Sequence, residues 1–438
     1  MPAHSSHSLS KGVNLTGVVA LGLGTAVGVA IFSVIAPAAR LAGPGMLLSV
    51  LIAAIPMFVI AVTYAFMGSA ILTSGASYEW PRRFIHPAAG FLIAWLRIAG
   101  SVAALLVLAF VMVRYLSMAF ALPARPTMLA AFAIVFVANY AGIAIAAKLQ
   151  TFLMAWLVVI FVGFALWGAP FVEVRHFEPL ISGDLTGVLA AVPLLIGLFF
   201  GIEAATEVGE EIRNGQAIIA VGIALSIASA VVLYLLVATV AIGVLGAPAL
   251  AASDTPLLAA ASVFMGPYAQ PIIVTAVVIA IGKSLNALFL IFSRSLFAMG
   301  RAGALPAALA RIHPRFGTPH IALSVAFAAC ALSLLLPLDI LSLFLAVNIP
   351  TLLKYAATSI SATRVIRHHP EIYAAARFKL RPGLMSACAW AGALAAVCII
   401  ALGIQADWKP YAALAAWAVI GIVYYGLRRP PAAATVRA

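Results

Sequence analysis

Three glutamates, Glu203, Glu207 and Glu211, recur every four residues through an otherwise apolar stretch, FFGIEAATEVGEEIRN at 199–214. On a continuous helix that spacing lines them up on one face. Carboxylates in apolar surroundings can shuttle protons, serve as an acid and a base, or pair with buried cations. Three basic residues, Arg97, Lys283 and Lys354, also sit inside apolar stretches. A charge at a helix centre costs about 3 kcal/mol on insertion scales, so each must face protein or water rather than lipid. Two readings of Glu203 and Glu207 stand side by side: an ion pair with Arg97 that fixes helix packing, or direct participation in proton movement. Glu210 and Glu211, with Arg213 nearby, read as a solvated gate at the inner end of the stretch. Structural pairing is the default for Arg97 and Lys354, with snorkelling toward Arg364 and Arg367 as the alternative for Lys354.

Hydrolytic chemistry needs more than paired carboxylates. No H-E-x-x-H motif is present, and the eight histidines, His4, His7, His86, His176, His313, His320, His368 and His369, map to ends or loops. Neither a metal site, a cofactor site nor a buried Ser and His pair follows from this pattern. An intramembrane enzyme using Glu203 and Glu207 therefore stands only as a minor alternative. Cys330, Cys388 and Cys398 fall in apolar stretches and read as small hydrophobes, not a disulfide framework.

The elements that hold these residues follow from composition. Of 438 residues, 65% are hydrophobic and only 8% are charged, more apolar surface than one water-soluble core can bury. Windows of about 20 apolar residues give about twelve membrane spans. They run approximately over 13–41, 45–72, 87–116, 127–146, 149–170, 186–211, 216–245, 270–298, 319–337, 339–363, 384–404 and 410–427. Breaker clusters such as AGPG at 42–45 and HPRFGTP at 313–319 separate them. Of the 25 basic residues, only Arg40, Arg114, Arg125, Arg175 and Lys409 fall on the side opposite the N-terminus; apart from the three within spans, the rest share its side. This asymmetry is the positive-inside pattern and places both termini in the cytoplasm. It accounts for the net charge of +13 without a nucleic-acid partner, since no aromatics interleave the basic patches. The polar segment 1–12 reads as an uncleaved cytoplasmic lead-in and 429–438 as a cytoplasmic tail.

GLGTAVGVAIF at 22–32 places Gly22, Gly24 and Gly28 within span 1. A phosphate-binding turn would follow a strand with G-x-G-x-x-G spacing, which is absent here. Gly24 and Gly28 also satisfy a GxxxG packing face. A second interruption, Gly197 and Gly201, opens span 6, and corresponding breaks five spans apart mark an inverted-repeat transporter with its site at unwound backbone. Four stretches in order, GLGTAVGVAIF with PAARLAGPG, SGASYEWPRRFIHPAAGFLIAW, FFGIEAATEVGEEIRN and SRSLFAMGRAGALPAALARIHPRFGTP, together resemble the amino acid, polyamine and organocation (APC) permease superfamily. The resemblance is clearest over spans 1–9. It implies an all-α polytopic membrane protein with the leucine-transporter-type fold: five plus five inverted helices over 13–170 and 186–367, broken helices 1 and 6, and two more helices over 384–428.

The same resemblance implies a site. The broken span 1, with Thr25 and Ala26, presents the amides of Gly28, Val29 and Ala30 to a substrate carboxylate, Ala30 standing where the family usually has glycine. In span 6, Phe199, Phe200, Gly201 and Ile202 line an apolar pocket that favours a neutral amino acid. The fold often builds a cation site from span 1 carbonyls, here Gly24 and Val27, and span 8 oxygens, here aligned with Ala280, Lys283 and Ser284. A lysine there places an ammonium where sodium would bind. It couples transport to protons if it titrates, leaves an uncoupled exchanger if it stays charged, or is simply a structural partner of Glu203 or Glu207. The expected function is a secondary transporter of neutral amino acids across the cytoplasmic membrane, working by alternating access without chemistry on its substrate. A transporter-like amino acid sensor is the second reading. Oligomeric state is not legible.

Overall fold

A computed structural model describes residues 9, 11–28, 30–117, 120–181, 185–335, 340–403 and 408–428. Its α-helices are, in order, α1 (Leu15–Ala26), α2 (Ala30–Ala42), α3 (Met46–Ala70), α4 (Ala76–Phe84), α5 (Pro87–Leu116), α6 (Ala124–Tyr140), α7 (Ile143–Gly168), α8 (Thr186–Ile196) and α9 (Gly215–Leu245). They continue with α10 (Ala247–Ala252), α11 (Pro256–Met265), α12 (Ala269–Arg301), α13 (His320–Ser333), α14 (Ile340–His368), α15 (Pro370–Ala375), α16 (Pro382–Gly403) and α17 (Lys409–Arg428). Among the described residues, β-pairing is confined to two isolated bridges, Val13 with Ile212 and Ser74 with Val208. Among the described residues, eight helical stretches are long and apolar enough to cross a membrane by length and composition. The protein is an all-α polytopic membrane protein.

Each expected span meets a helix or a broken pair of helices, with one boundary displaced. The turn between spans 4 and 5 was expected near 147–148 and falls at Ala141–Gly142 instead. Gly142 sits at φ +133°, backbone that side-chain-bearing residues rarely adopt, and this fixes the turn there. Gln150 is thereby drawn into the body of α7 and fully buried. The short helices α4, α10, α11 and α15 have no counterpart in the hydropathy pattern, because none is long enough to span.

α1 runs through the middle of the bundle, packed on α7, α9 and α12, while α14 packs on α3, α4, α5 and α16. Large apolar side chains face outward along α6, α7, α16 and α17, for example Ile134, Leu166, Leu394 and Val423. That distribution suits lipid rather than water on the outer surface. Charged side chains are instead turned inward: Glu203, Glu207, Glu211, Lys283, Arg294 and Lys354 are all buried.

Two spans are broken. α1 stops at Ala26 and α2 starts at Ala30. The second break is longer: past α8 the chain runs through 3-10 turns at Gly197–Phe199, Ala204–Glu207 and Gly209–Glu211. Phe200 is extended (φ −65°, ψ 127°), and Gly201 follows at φ +99°. A Cβ on Gly201 would lie 2.3 Å from Cγ2 of Thr25, so both its backbone and its contact with α1 demand glycine. The breaks therefore face each other across the bundle centre.

Candidate functional site

Unwinding a helix in an apolar interior leaves carbonyls and amides that must find partners. Tyr234 of α9 serves both breaks at once. Its hydroxyl lies 2.9 Å from the carbonyl of Ala26 and 2.7 Å from that of Leu198, so one proton is shared between the two frayed ends. Phe199, fully buried, packs edge-on to the Tyr234 ring at 5.7 Å and supports the break from behind. Phe200 is half-buried and sets its ring against Tyr355 at 5.8 Å, while Ile202 is buried. Thr25 donates its hydroxyl to Leu21 of its own helix at 2.7 Å. The Gly28 amide folds back onto the Ala26 carbonyl at 2.8 Å, and α2 opens two residues later at Ala30. Val29 lies outside the described residues.

The C-terminal end of α1 concentrates negative partial charge on carbonyls the helix cannot satisfy. Lys283 of α12, fully buried, meets it there. Its ammonium donates to the Gly24 carbonyl at 2.8 Å and to the Val27 carbonyl. Ser284 Oγ lies 3.0 Å from the Gly24 carbonyl and 3.0 Å from that of Ala280. Among the described residues no carboxylate pairs with Lys283. The expectation that it could be a structural partner of Glu203 or Glu207 is therefore corrected, since both carboxylates are engaged elsewhere. Behind it stand three buried amides. Asn286 donates to Gln150 at 3.0 Å and to the Ala146 carbonyl at 3.1 Å, Asn139 donates to Asn286 at 2.9 Å, and Gln150 donates to the Ala20 carbonyl at 3.2 Å. This chain ties α12 to α6, α7 and α1 around the lysine.

The acidic residues of the second break do not share a face. The four-residue spacing would align them on an α-helix, but this segment is built of separate 3-10 turns with three residues per turn, so each carboxylate leaves in its own direction. Glu203 pairs with Lys354 of α14 and accepts from Tyr355 at 3.0 Å. Glu207 accepts from the Ser77 hydroxyl and amide at the start of α4, with Arg97 of α5 at 3.6 Å. Arg97 thus pairs with Glu207 and not with Glu203. Glu211 makes a two-pronged pair with Arg294 of α12, both contacts 2.8 Å and both side chains fully buried. The reading of Glu211 as solvated is corrected, and Arg294, counted among the basic residues on the cytoplasmic side, is its buried partner. Only Glu210 meets the description of a surface gate, bonded to Arg301 at 2.8 and 2.9 Å and to the Ser74 amide at 3.1 Å.

The segment around Glu211 also captures the start of the chain. Amides of Gly12 and Val13 donate to the Glu211 carbonyl at 3.0 and 3.1 Å, and Arg213 donates back to Val13 at 2.9 Å. At this end of the bundle, backbone pairing is laid over a buried ion pair.

A profile of the amino acid permease family matches residues 13–424, nearly the whole chain. The chain belongs to that family. Among relatives of the permease, an uncharacterized transporter of Mycobacterium tuberculosis is 31% identical over 75% of this chain and 75% of its own length. A branched-chain amino acid permease of Bacillus subtilis is 26% identical over 96% of this chain and 93% of its own. A vacuolar cationic amino acid transporter of Arabidopsis thaliana is 26% identical over 83% of this chain and 61% of its own. The permease is a membrane transporter and not an enzyme, which removes the reading of Glu203 and Glu207 as a hydrolytic pair. Tyr234, Tyr355 and the amide trio were missed from sequence. A tyrosine or asparagine in an apolar span carries no periodic signal, although a polar group there must find a partner.

Proposed function

We propose that this permease is a secondary transporter of neutral amino acids in the cytoplasmic membrane, with both termini inside, working by alternating access. Its spans are organised as two inverted repeats over 13–170 and 186–367. The observation that carries the mechanism is the Lys283 ammonium on the Gly24 and Val27 carbonyls. It occupies the oxygen cluster that a coupling cation would need, so sodium is not required. Any coupling runs through gain and loss of the lysine proton as the span 1 break moves against α12. The substrate carboxylate is taken by the amides at the start of α2, favoured by the positive end of that helix dipole. Its side chain lies against Phe200 and the Gly201–Ile202 backbone. The neutral preference is supported by that apolar lining and by a relative named as a branched-chain permease.

Proteoliposome flux of a labelled amino acid panel, with sodium and pH gradients imposed separately, tests this reading. Neutral amino acids are expected to compete well and arginine, lysine and putrescine poorly. Potent inhibition by a diamine overturns the neutral reading, and specific binding without flux replaces the transporter by a sensor.

A further inference from the structure

Two residues beyond the Gly201 break, the permease holds a structure that could recognise a cationic side chain. Glu203 is 1% exposed, and the cation it holds lies over two aromatic rings. The Tyr355 hydroxyl donates to it at 3.0 Å and accepts from the Gly201 amide at 3.2 Å, so the cage is tied directly to the broken backbone. The position between carboxylate and rings is filled by the chain itself. Lys354 places its ammonium on Glu203, 4.7 Å from the Tyr355 ring centre and 5.8 Å from that of Tyr64. The Tyr355 ring also meets, edge to face, Phe200, a residue of the proposed substrate lining. Tyr64 is in turn held by the Thr358 hydroxyl at 3.0 Å.

A carboxylate beside aromatic faces that its bound cation can lie over is the arrangement that favours an organic ammonium once water is excluded. An ammonium already tethered there acts at very high effective concentration, and a diffusing competitor must displace it. It also leaves an arriving guanidinium or amine without a counter-charge, which makes burying that group costly. We infer that Lys354 is a specificity-determining residue: it occupies the cation subsite formed by Glu203, Tyr355 and Tyr64, and so excludes cationic amino acids from a scaffold that could otherwise accept them. This rests on the neutral-substrate reading and names the device behind it. A merely structural ion pair would stabilise the bundle without setting the choice of substrate.

The test compares ornithine with leucine for binding to the purified, folded permease. In Lys354→Met the affinity for ornithine relative to leucine is expected to rise at least tenfold, and the Glu203→Gln/Lys354→Met double variant is expected to lose that gain. An unchanged ratio in Lys354→Met that still binds leucine overturns the inference. Should that variant bind neither, Lys354→Ala is heated with and without ethylammonium. Stabilisation by ethylammonium but not by ethanol, and absent in the wild type, supports a cation subsite; no difference between the two additives overturns it. Tight ornithine binding by the wild type overturns the neutral reading itself, an outcome separate from the variant ratios.

Discussion

At the scale of single residues, Lys283 is the side chain with the most unusual surroundings. A buried ammonium commonly answers a carboxylate, whereas this one answers backbone carbonyls freed by the end of a helix. Replacing it with alanine takes the side-chain donor from the Val27 carbonyl and leaves the Gly24 carbonyl to Ser284 alone, and a group left unsatisfied costs about 1–3 kcal/mol. The surrounding oxygens, two carbonyls of α1 with the Ala280 carbonyl and Ser284 hydroxyl nearby, are hard ligands of the kind sodium accepts. Lys283→Ala should therefore lower turnover about tenfold or more while the protein remains folded by size exclusion, with sodium newly raising its thermal stability. Full transport by this variant would refute the role given to the lysine. Gly28 makes a second residue-scale prediction. A Cβ there would stand 2.9 Å from Ser284 Oγ, and a leucine side chain would fill the gap ahead of α2. Gly28→Leu should abolish substrate binding without unfolding the bundle, and unchanged affinity by calorimetry would place the carboxylate elsewhere.

At the scale of elements, the helices were legible and the second break was legible only in part. Apolar runs of spanning length read directly as helices, because in lipid the backbone must satisfy itself within the segment. Gly201 marked the break, but its consequence for the glutamates was not visible: once the helix gives way to 3-10 turns, four-residue spacing stops meaning a shared face. The three carboxylates instead staple four different helices, α14 through Lys354, α4 and α5 through Ser77 and Arg97, and α12 through Arg294. The pairing of the few charged residues was not legible, since which cation meets which anion is set by helix packing and not by sequence distance. The Glu211–Arg294 staple can be tested as a unit. Removing one partner of a buried pair strands the other and costs about 3–5 kcal/mol, whereas replacing both with apolar residues of similar volume is often neutral. Glu211→Leu and Arg294→Met should each lower the melting temperature in detergent, and the double variant should recover most of the loss. Additive losses in the double variant would show that the pair does not act as a unit.

At the scale of the whole molecule, the alternating access proposed above requires two halves of the transporter to exchange access to one site without ever opening a continuous path. In that reading the sealed end is the one where residues 12–13 pair with 211–213, with Glu211–Arg294 beneath and Glu210–Arg301 at the rim. The opposite end has a surface hollow of about 570 Å³ lined by Arg40, Arg175, His176 and Glu178 among others. Opening the sealed end requires the segment after Gly201 to move away from α12. Because Lys283 grips the break of span 1 from that same helix, its grip and the seal change together if α12 moves as one body. In the proposed mechanism, an ammonium that travels with the protein does the positional work of a bound cation without needing one from solution. Transport by the wild type should accordingly proceed at the same rate with sodium replaced by choline on both sides of the membrane. A pH gradient then separates the two remaining mechanisms. Stimulation by an acidic outside means that Lys283 loses and regains its proton during the cycle, while a gradient-independent rate that requires amino acid on both sides means it stays charged and the permease exchanges. Strict dependence on sodium would exclude both, because the ammonium and the ion would compete for the Gly24 and Val27 carbonyls.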